Sequence, residues 1–458
     1  MKNRLLTTRL SYASSEIAGQ LIFCVISFYL LKFYTDVYGL SAAAAGAILL
    51  FARCFDAIDA PVWGIIFEKT HSRWGRSRPW FLWLCVPFAI SGVLTFVTPS
   101  VGPTAKIAYA ACTYVVCSVL YTGINTPVTA ILAALTPNSH ERVVLTSFRM
   151  FGSKLGVLFV NLTVLLLVAK LGHGNDRRGF MLVMPMYALG TIALYLLAFR
   201  NLRETVHETK RHIPIKQSFA ALKGNVPWLI IFLSSLFFWI AFIARISSAP
   251  YFFQYVLHRT DLTPIANSLD VTSLATILLL PFFCRLVSKR TVWALGLVGS
   301  VLAQVVVYFG VRANSIPEVI TGWVLGFLAS GIAMAMPFSL LSDSVDYGEW
   351  KGGVRAAGLL TAIGAAFCLK AGSGLGGALP AWILDYFRYV PNVAQSARSI
   401  LGIELSCIWL PAVAYAIAVL PVLFYYRYER LEPQIQLELQ NRRELVDREI
   451  AAQISSAT

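Results

Sequence analysis

The chain has 458 residues, of which 57% are hydrophobic and only 13% charged, yet its formal net charge is +15. A soluble domain normally carries about 25% charged residues, so this composition excludes a soluble enzyme and points to an all-α integral membrane protein. The basic residues are scattered in short stretches between apolar runs, as topology signals are, which excludes a nucleic-acid-binding module.

A bilayer core requires about 20 apolar residues per helix, and twelve such runs follow one another. The N-terminal decapeptide MKNRLLTTRL is basic and precedes an apolar run, as in a signal peptide. That run is too long for a signal-peptide core and has no clear cleavage site, so it is expected to persist as the first span, 11–37. It contains Glu16 and Gln20, one turn apart on one face. The second span, 41–67, differs from the rest because Arg53, Asp56 and Asp59 lie inside it. Each charge near the middle of a membrane helix costs about 2.5–3.5 kcal/mol on insertion scales, so these require pairing or a wet cavity, and a functional role is the default expectation.

A basic connection, Lys69–Arg78, leads to spans 79–98, 104–136, 143–171 and 179–199, the fifth span carrying Arg149 and Lys154. The longest internal polar segment, 201–225, then divides the chain into two sets of six. Spans 226–256, 262–287, 291–311, 316–341, 356–386 and 402–426 follow, with Arg245 in the seventh and Lys370 in the eleventh. The expected organisation is a six-helix bundle over 1–200, a central loop over 201–225, a second bundle over 226–426 and a cytoplasmic tail over 427–458. The tail reads as a solvated helix. The glycines of AGSGLGGALP (371–380) allow helices to approach closely.

The termini and even-numbered connections share one side and hold about 24 of the 38 Lys and Arg residues, against about eight on the other side. Both termini are therefore expected in the cytoplasm. All eight cysteines fall in apolar segments without metal-ligand spacing, and the six histidines lie in loops, so no metal, cofactor or covalent chemistry is expected. There is no P-loop and no nucleophile–base constellation. An enzyme is not expected.

Asp56 and Asp59, three residues apart, share a helix face. Two carboxylates inside a bundle can bind a small cation or hold a proton; alternatively, Arg53 neutralises Asp56 as an intrahelical pair. Glu16 reads equally as a ligand for sugar hydroxyls or as the partner of a nearby cation.

Several segments in order (LSY at 10–12, FYTDVYGLS at 33–41, DAIDAP at 56–61, SRWGRSRPW at 72–80, DSVDYGEWKGGVR at 343–355 and PNVAQSA at 391–397) resemble the glycoside–pentoside–hexuronide:cation symporters. This is the melibiose permease-like family of the major facilitator superfamily, and the likeness runs from about residue 9 to 430. It implies twelve transmembrane helices in the major facilitator fold, two six-helix bundles, and import of a glycoside, pentoside or hexuronide by symport with H⁺ or Na⁺ through alternating access. The alternative is a lipid carrier or a non-coupled sugar facilitator of the same fold.

By the resemblance, Asp56 matches a cation-site carboxylate and Thr122 a hydroxyl lining that site. The second acid departs, standing at Asp59 with Ala60 in the family's usual place. Gln20 and Asn125 occupy the positions of two sugar-binding acids, and Thr129 that of a stacking tryptophan. Glu16 matches an acid that many other members carry. Arg149 and Lys370 match residues that frame the sugar site, and amides in place of acids suggest an anionic sugar; pairing of those cations with Glu16, Asp56 or Asp59 is the alternative. The two basic and acidic connections are expected to form a cytoplasmic gate. There, Arg73, Arg76 and Arg78 would donate to helix carbonyls or to acids such as Asp343, Asp346 and Glu349, with Arg355 on the same connection. The expected partners are a small sugar, a monovalent cation and the lipid bilayer, with no nucleic acid and a monomeric state. The expected location is the cytoplasmic (inner) membrane.

Overall fold

The computed structural model describes residues 2–68, 70, 72–136, 139–204, 224–352, 360, 364 and 367–441. Most of the central connection 201–225, the end of the tail from 442, and Lys69 and Arg355 therefore lie outside the described residues.

Six helices build the first half: α1 (Lys2–Lys32), α2 (Ala42–Glu68), α3 (Arg78–Thr95), α4 (Pro103–Leu135), α5 (Ser139–Gly172) and α6 (Asp176–Asn201). The second half begins with α7 (Val226–Tyr251). Next comes α8, which spans Leu262–Leu286 and is broken by a 3₁₀ turn at Leu269–Thr272. It continues through α9 (Lys289–Arg312), α10 (Ile316–Gly352) and α11 (Cys368–Tyr386). The last helix, α12, runs from Ala397–Glu404 through a π turn at Leu405–Trp409 to Leu410–Phe424. Among the described residues, ten helices are long and apolar enough to cross a membrane. The other two spans are α2, whose interior charges break its apolar run, and α11.

Helix starts follow local chemistry. The side chains of Asn175, Asn225, Ser288 and Ser396 accept backbone N–H groups at the starts of α6, α7, α9 and α12, satisfying donors a helix leaves open. Prolines such as Pro87, Pro127, Pro337 and Pro380 lie inside helices, where neighbouring helices re-satisfy the backbone.

Within the first half, α1 packs on α5 and α6, α3 on α4 and α6, and α2 on α4. Within the second, α7 packs on α10, α11 and α12, and α9 on α10 and α12. The halves meet along α2–α11, α1–α7 and α5–α8. The glycines of α11 serve two seams. A Cβ on Gly372 would strike Trp239 of α7, and one on Gly374 would strike Arg53 of α2.

The repeat is visible in backbone detail. α1 ends in a π turn at Phe33–Val37 and α7 in one at Phe252–Val256. Leu40 N–H donates to Tyr34 O at 2.8 Å, and Arg259 N–H donates to Phe253 O at 2.8 Å. Each chain then leaves through a residue with positive φ, Gly39 (+76°) or His258 (+53°).

We call the end holding the N-terminus the near end. At the far end the halves are bolted together. Thr35 Oγ1 and Tyr251 OH lie 2.7 Å apart, and Tyr389 OH donates to Asp36 Oδ1 at 2.9 Å. Asn392 Nδ2 donates to the Asp36 carbonyl at 2.9 Å, and Lys32 Nζ bonds Gln254. The far end is closed.

The tail corrects its sequence reading as a solvated helix. Residues 432–441 are helical and dock on the near end of the second half, where Ile435 and Leu439 bury against Tyr347.

Candidate functional site

α2 places its acids where α4 and α11 converge. Asp56 is buried, and Arg53 Nη1 donates to its Oδ2 at 2.7 Å, the intrahelical pair the spacing allows. Its other oxygen accepts from Ser118 Oγ of α4 at 2.6 Å. Lys370 reaches across from the second half. Its Nζ donates to the Asp56 carbonyl at 2.9 Å, to Asp59 Oδ1 at 3.3 Å and to Thr122 Oγ1 at 3.3 Å. Asp59 Oδ2 is buried without a partner. The structure thus brings Asp56, Asp59 and Thr122 together, with an ammonium group standing among their oxygens.

A second cluster joins α1 to α5. Arg149 Nε donates to Glu16 Oε2 at 2.8 Å, both side chains largely shielded. Gln20 Nε2 donates to Ser153 Oγ at 3.1 Å, and its Oε1 accepts from Cys24 Sγ at 3.4 Å. Close helix packing makes this possible. A Cβ on Gly152 would run into the Ala13 backbone, and one on Gly156 would meet the Gln20 side chain. Tyr121 of α4 lies against α1, where a Cβ on Gly19 would come within 3.5 Å of its ring. It stacks on Phe23 with ring centroids 4.5 Å apart.

α4 contributes less. Asn125 is half-buried, while Thr129 is exposed and turns its hydroxyl back to the Asn125 carbonyl at 3.3 Å.

These pairings are the alternative that the sequence offered to excess positive charge. Arg149 is matched by Glu16, and Lys370 by Asp59. Lys154 is matched by Asp270 of α8 at 2.6 Å. Arg245 is buried elsewhere, in the second half. Its Nη2 donates to the Trp323 carbonyl at 2.8 Å, and its guanidinium lies 4.3 Å from the Trp323 ring and 4.8 Å from Phe327.

The near-end connections also pair differently from the expected gate. Arg76 Nε donates to the Phe67 carbonyl and Arg78 Nη2 to the Phe199 carbonyl, at 3.2 and 2.7 Å. Both are carbonyls at helix C-terminal ends, as expected. Arg73 lies over the Trp74 ring at 4.5 Å. The acid that organises this loop is Glu204, just beyond α6. Its carboxylate accepts the N–H groups of Arg76, Ser77 and Arg78 at 2.8, 2.6 and 3.1 Å, at the start of α3. Negative charge is favoured at a helix N-terminus. Gly75 has φ +102°, and any Cβ there would overlap the Glu204 carboxylate.

Asp343 pairs with Lys289 at 2.9 Å, and Asp346 accepts from Gln436 at 3.0 Å. Trp350, next to Glu349, donates to Glu438 at 2.6 Å. Asp343 thus pairs within its own half, and the docked tail reaches both acids through Glu432, which shares Lys289 with Asp343, and through Gln436. Arg355 is outside the described residues.

Sequence reasoning missed Ser118, Tyr121, Glu204 and Asp270. Ser118 is one turn before Thr122 on the same face, and Asp270 is an acid inside an apolar run, so both carried a readable signal. Glu204 carried none, because its partner lies over 120 residues away.

The family described as MFS/sugar transport protein matches residues 11–430. An isoprimeverose transporter of Lactiplantibacillus pentosus is 37% identical over 95% of this chain and 91% of its own. A putative glycoside/cation symporter, YagG, of Escherichia coli strain K12 is 30% identical over 89% of each. Among solved structures, a D-xylose–proton symporter aligns over 92% of this chain and 97% of its own. Its TM-score is 0.63 and its identity 17%. A bacterial homologue of the human lysosomal transporter Spinster aligns over 95% and 98%, with a TM-score of 0.68 and 13% identity. Both share the fold.

Proposed function

The chain belongs to the MFS/sugar transport protein family, whose members are transporters rather than enzymes, and from that premise we propose that it imports a neutral glycoside together with a monovalent cation. The observation that carries this reading is Lys370, an ammonium from the second half held among Asp59, Thr122 and the Asp56 carbonyl of the first. A tethered cation there marks a place a free cation can take. When H⁺ or Na⁺ occupies Asp59, Lys370 is released and one bond between the halves is lost.

Sugar binds at Glu16, Gln20 and Arg149, with Asn125 and Tyr121 alongside. The Glu16–Arg149 pair is neutral overall and offers both acceptors and donors. That balance suits hydroxyl groups better than a carboxylate, which would have to displace Glu16 from Arg149. Linkage is reciprocal: whatever factor the cation contributes to sugar affinity, the sugar returns to the cation. The near end faces the cytoplasm by its basic loops, so this state is closed outward. We place the protein in the cytoplasmic membrane as a monomer.

The test is uptake into vesicles of a xyloside, a galactoside and a β-glucuronide, each under an imposed H⁺ or Na⁺ gradient. The expected result is accumulation of a neutral glycoside driven by one of the two ions. Preference for the glucuronide would overturn the neutral-substrate reading, and downhill movement indifferent to both ions would make the protein a facilitator.

A further inference from the structure

The far end of the first half carries positive charge that the membrane orientation does not explain. Connections on the outward side are normally poor in Lys and Arg. Here Lys106 at the start of α4, Lys170 at the end of α5, and Arg177 and Arg178 at the start of α6 gather against two acids, Asp36 and Asp176. Asp36 is already engaged by Tyr389 and Thr35.

Two of these cations, Lys106 and Arg177, line a cavity of about 390 Å³. Its other walls are Val37 and Tyr38 from the end of α1 and the connection 98–102. Arg177 Nη2 donates to the Thr98 carbonyl, and the Lys106 ammonium stands 5.6 Å from the centre of the Tyr38 ring. Among the described residues neither cation forms an ion pair. Thr98 also lines the cavity; it is 5% exposed, and its hydroxyl has no partner. α4 begins at the same wall with Gly102 and Pro103 and no side-chain cap, so its first N–H groups are left for another acceptor.

A guanidinium, an ammonium, a shielded hydroxyl and a helix N-terminus are all donors. An unmet buried hydroxyl is costly, and an open helix start favours negative charge. The group that meets such a set is an oxyanion with several acceptor oxygens, as phosphate is at other helix N-termini. Arg suits it because the planar fork matches two oxygens at once. The position of the cavity selects the source of the phosphate. It lies where α1, α3, α4 and α6 end, at the membrane boundary. Leu94 of α3, Val101 and Ile107 of α4 are exposed beside it, apolar surface that an acyl chain can cover and a soluble phosphate would leave bare.

We propose that this cavity binds the phosphodiester headgroup of an anionic membrane lipid, with Arg177 and Lys106 as its cations and the Thr98 hydroxyl and the α4 N-terminus as further donors. All the lining residues belong to the first half, so the lipid site stands apart from the sugar and cation clusters. By the orientation proposed above it serves the outward leaflet.

Purified full-length protein in detergent is titrated with dioctanoyl phosphatidylglycerol, dioctanoyl phosphatidylcholine or inorganic phosphate, and bound lipid is measured by native mass spectrometry. Wild-type protein is expected to bind phosphatidylglycerol roughly 30-fold more tightly than phosphatidylcholine, the effect of two cations beside an anionic headgroup. Inorganic phosphate is expected not to displace it. Lys106→Gln with Arg177→Gln is expected to remove the preference. Arg388→Gln with Arg398→Gln, the same change of charge on exposed residues of the second half, is expected to keep it. Should the first double variant fail to fold, Lys106→Glu leaves the Arg177 bond to Thr98 intact and is expected to lower the preference roughly tenfold.

Equal loss in the two double variants would reduce the effect to net surface charge and overturn the site. So would wild-type protein that binds both lipids alike. Displacement of phosphatidylglycerol by inorganic phosphate would assign the cavity to a soluble anion and overturn the lipid.

Discussion

Asp59 has one oxygen facing Lys370 and the other buried without a partner. Asp56, by contrast, has both oxygens engaged, by Arg53 and Ser118. The two acids of one helix face therefore have different surroundings. On the proposed reading, Asp56 anchors α4 while Asp59 exchanges one cation for another. Asp59→Asn is expected to reduce coupling between cation and sugar by about 5- to 150-fold, the usual range for linked sites. Measured in vesicles, gradient-driven accumulation should collapse while sugar counterflow without a gradient continues. Undiminished accumulation would exclude Asp59 from the coupling step. The acid pair was readable from its spacing alone. That Lys370 could pair with one of them was an alternative the sequence offered, but which oxygens it meets was fixed only by packing, since it comes from a helix more than 300 residues later.

Helix contacts decide how the far end closes. Gly46 of α2 lies against α11, where a Cβ would come within 2.8 Å of Ala381 Cβ and 3.1 Å of the Trp382 indole nitrogen. The crowding is with another helix of the opposite half, so it is relieved if the halves part. Gly46→Leu is therefore expected to favour the state open at the far end. Overpacking of this kind costs about 1–3 kcal/mol, a shift in population of roughly 5- to 150-fold. A cysteine introduced at Thr35, buried in the closed state, should then react faster with a membrane-impermeant thiol reagent. An unchanged rate would show that α2 and α11 can separate locally without opening that end.

At the scale of the molecule, the tail belongs to the second half. Lys289 binds Asp343 and Glu432 together, Gln436 reaches Asp346, and Ile435 and Leu439 are buried. The family match ends at residue 430, so the docking helix lies outside the matched segment. Ending the chain at Arg430 is expected to lower the melting temperature in detergent by about 2–4 °C for each kcal/mol of lost contact, with sugar affinity unchanged. A chain that melts at the same temperature would show that the docked helix contributes no stability. The same docking accounts for the pairing of Asp343 with Lys289, which also holds Glu432 of the tail. The sequence of Asp343 and Asp346 was read as an acidic connection after a span ending at 341, yet they lie in the last turns of a 37-residue helix, where the tail docks.

Composition and hydrophobic period were enough to read an all-helical membrane chain, because bilayer thickness and backbone satisfaction leave few alternatives for it, whereas the family was legible only through its resemblance, motif by motif in order, to known symporters. The same reading located Glu16, Asp56, Asp59, Arg149 and Lys370, since a charge inside an apolar run is visible without coordinates. Partner identity was a different kind of information. Arg149 with Glu16, Lys370 with Asp59, Lys154 with Asp270 and Glu204 at the start of α3 are all pairs formed between separate elements. Electrostatic energy depends on distances between atoms, and only the packing of one helix on another fixes those distances.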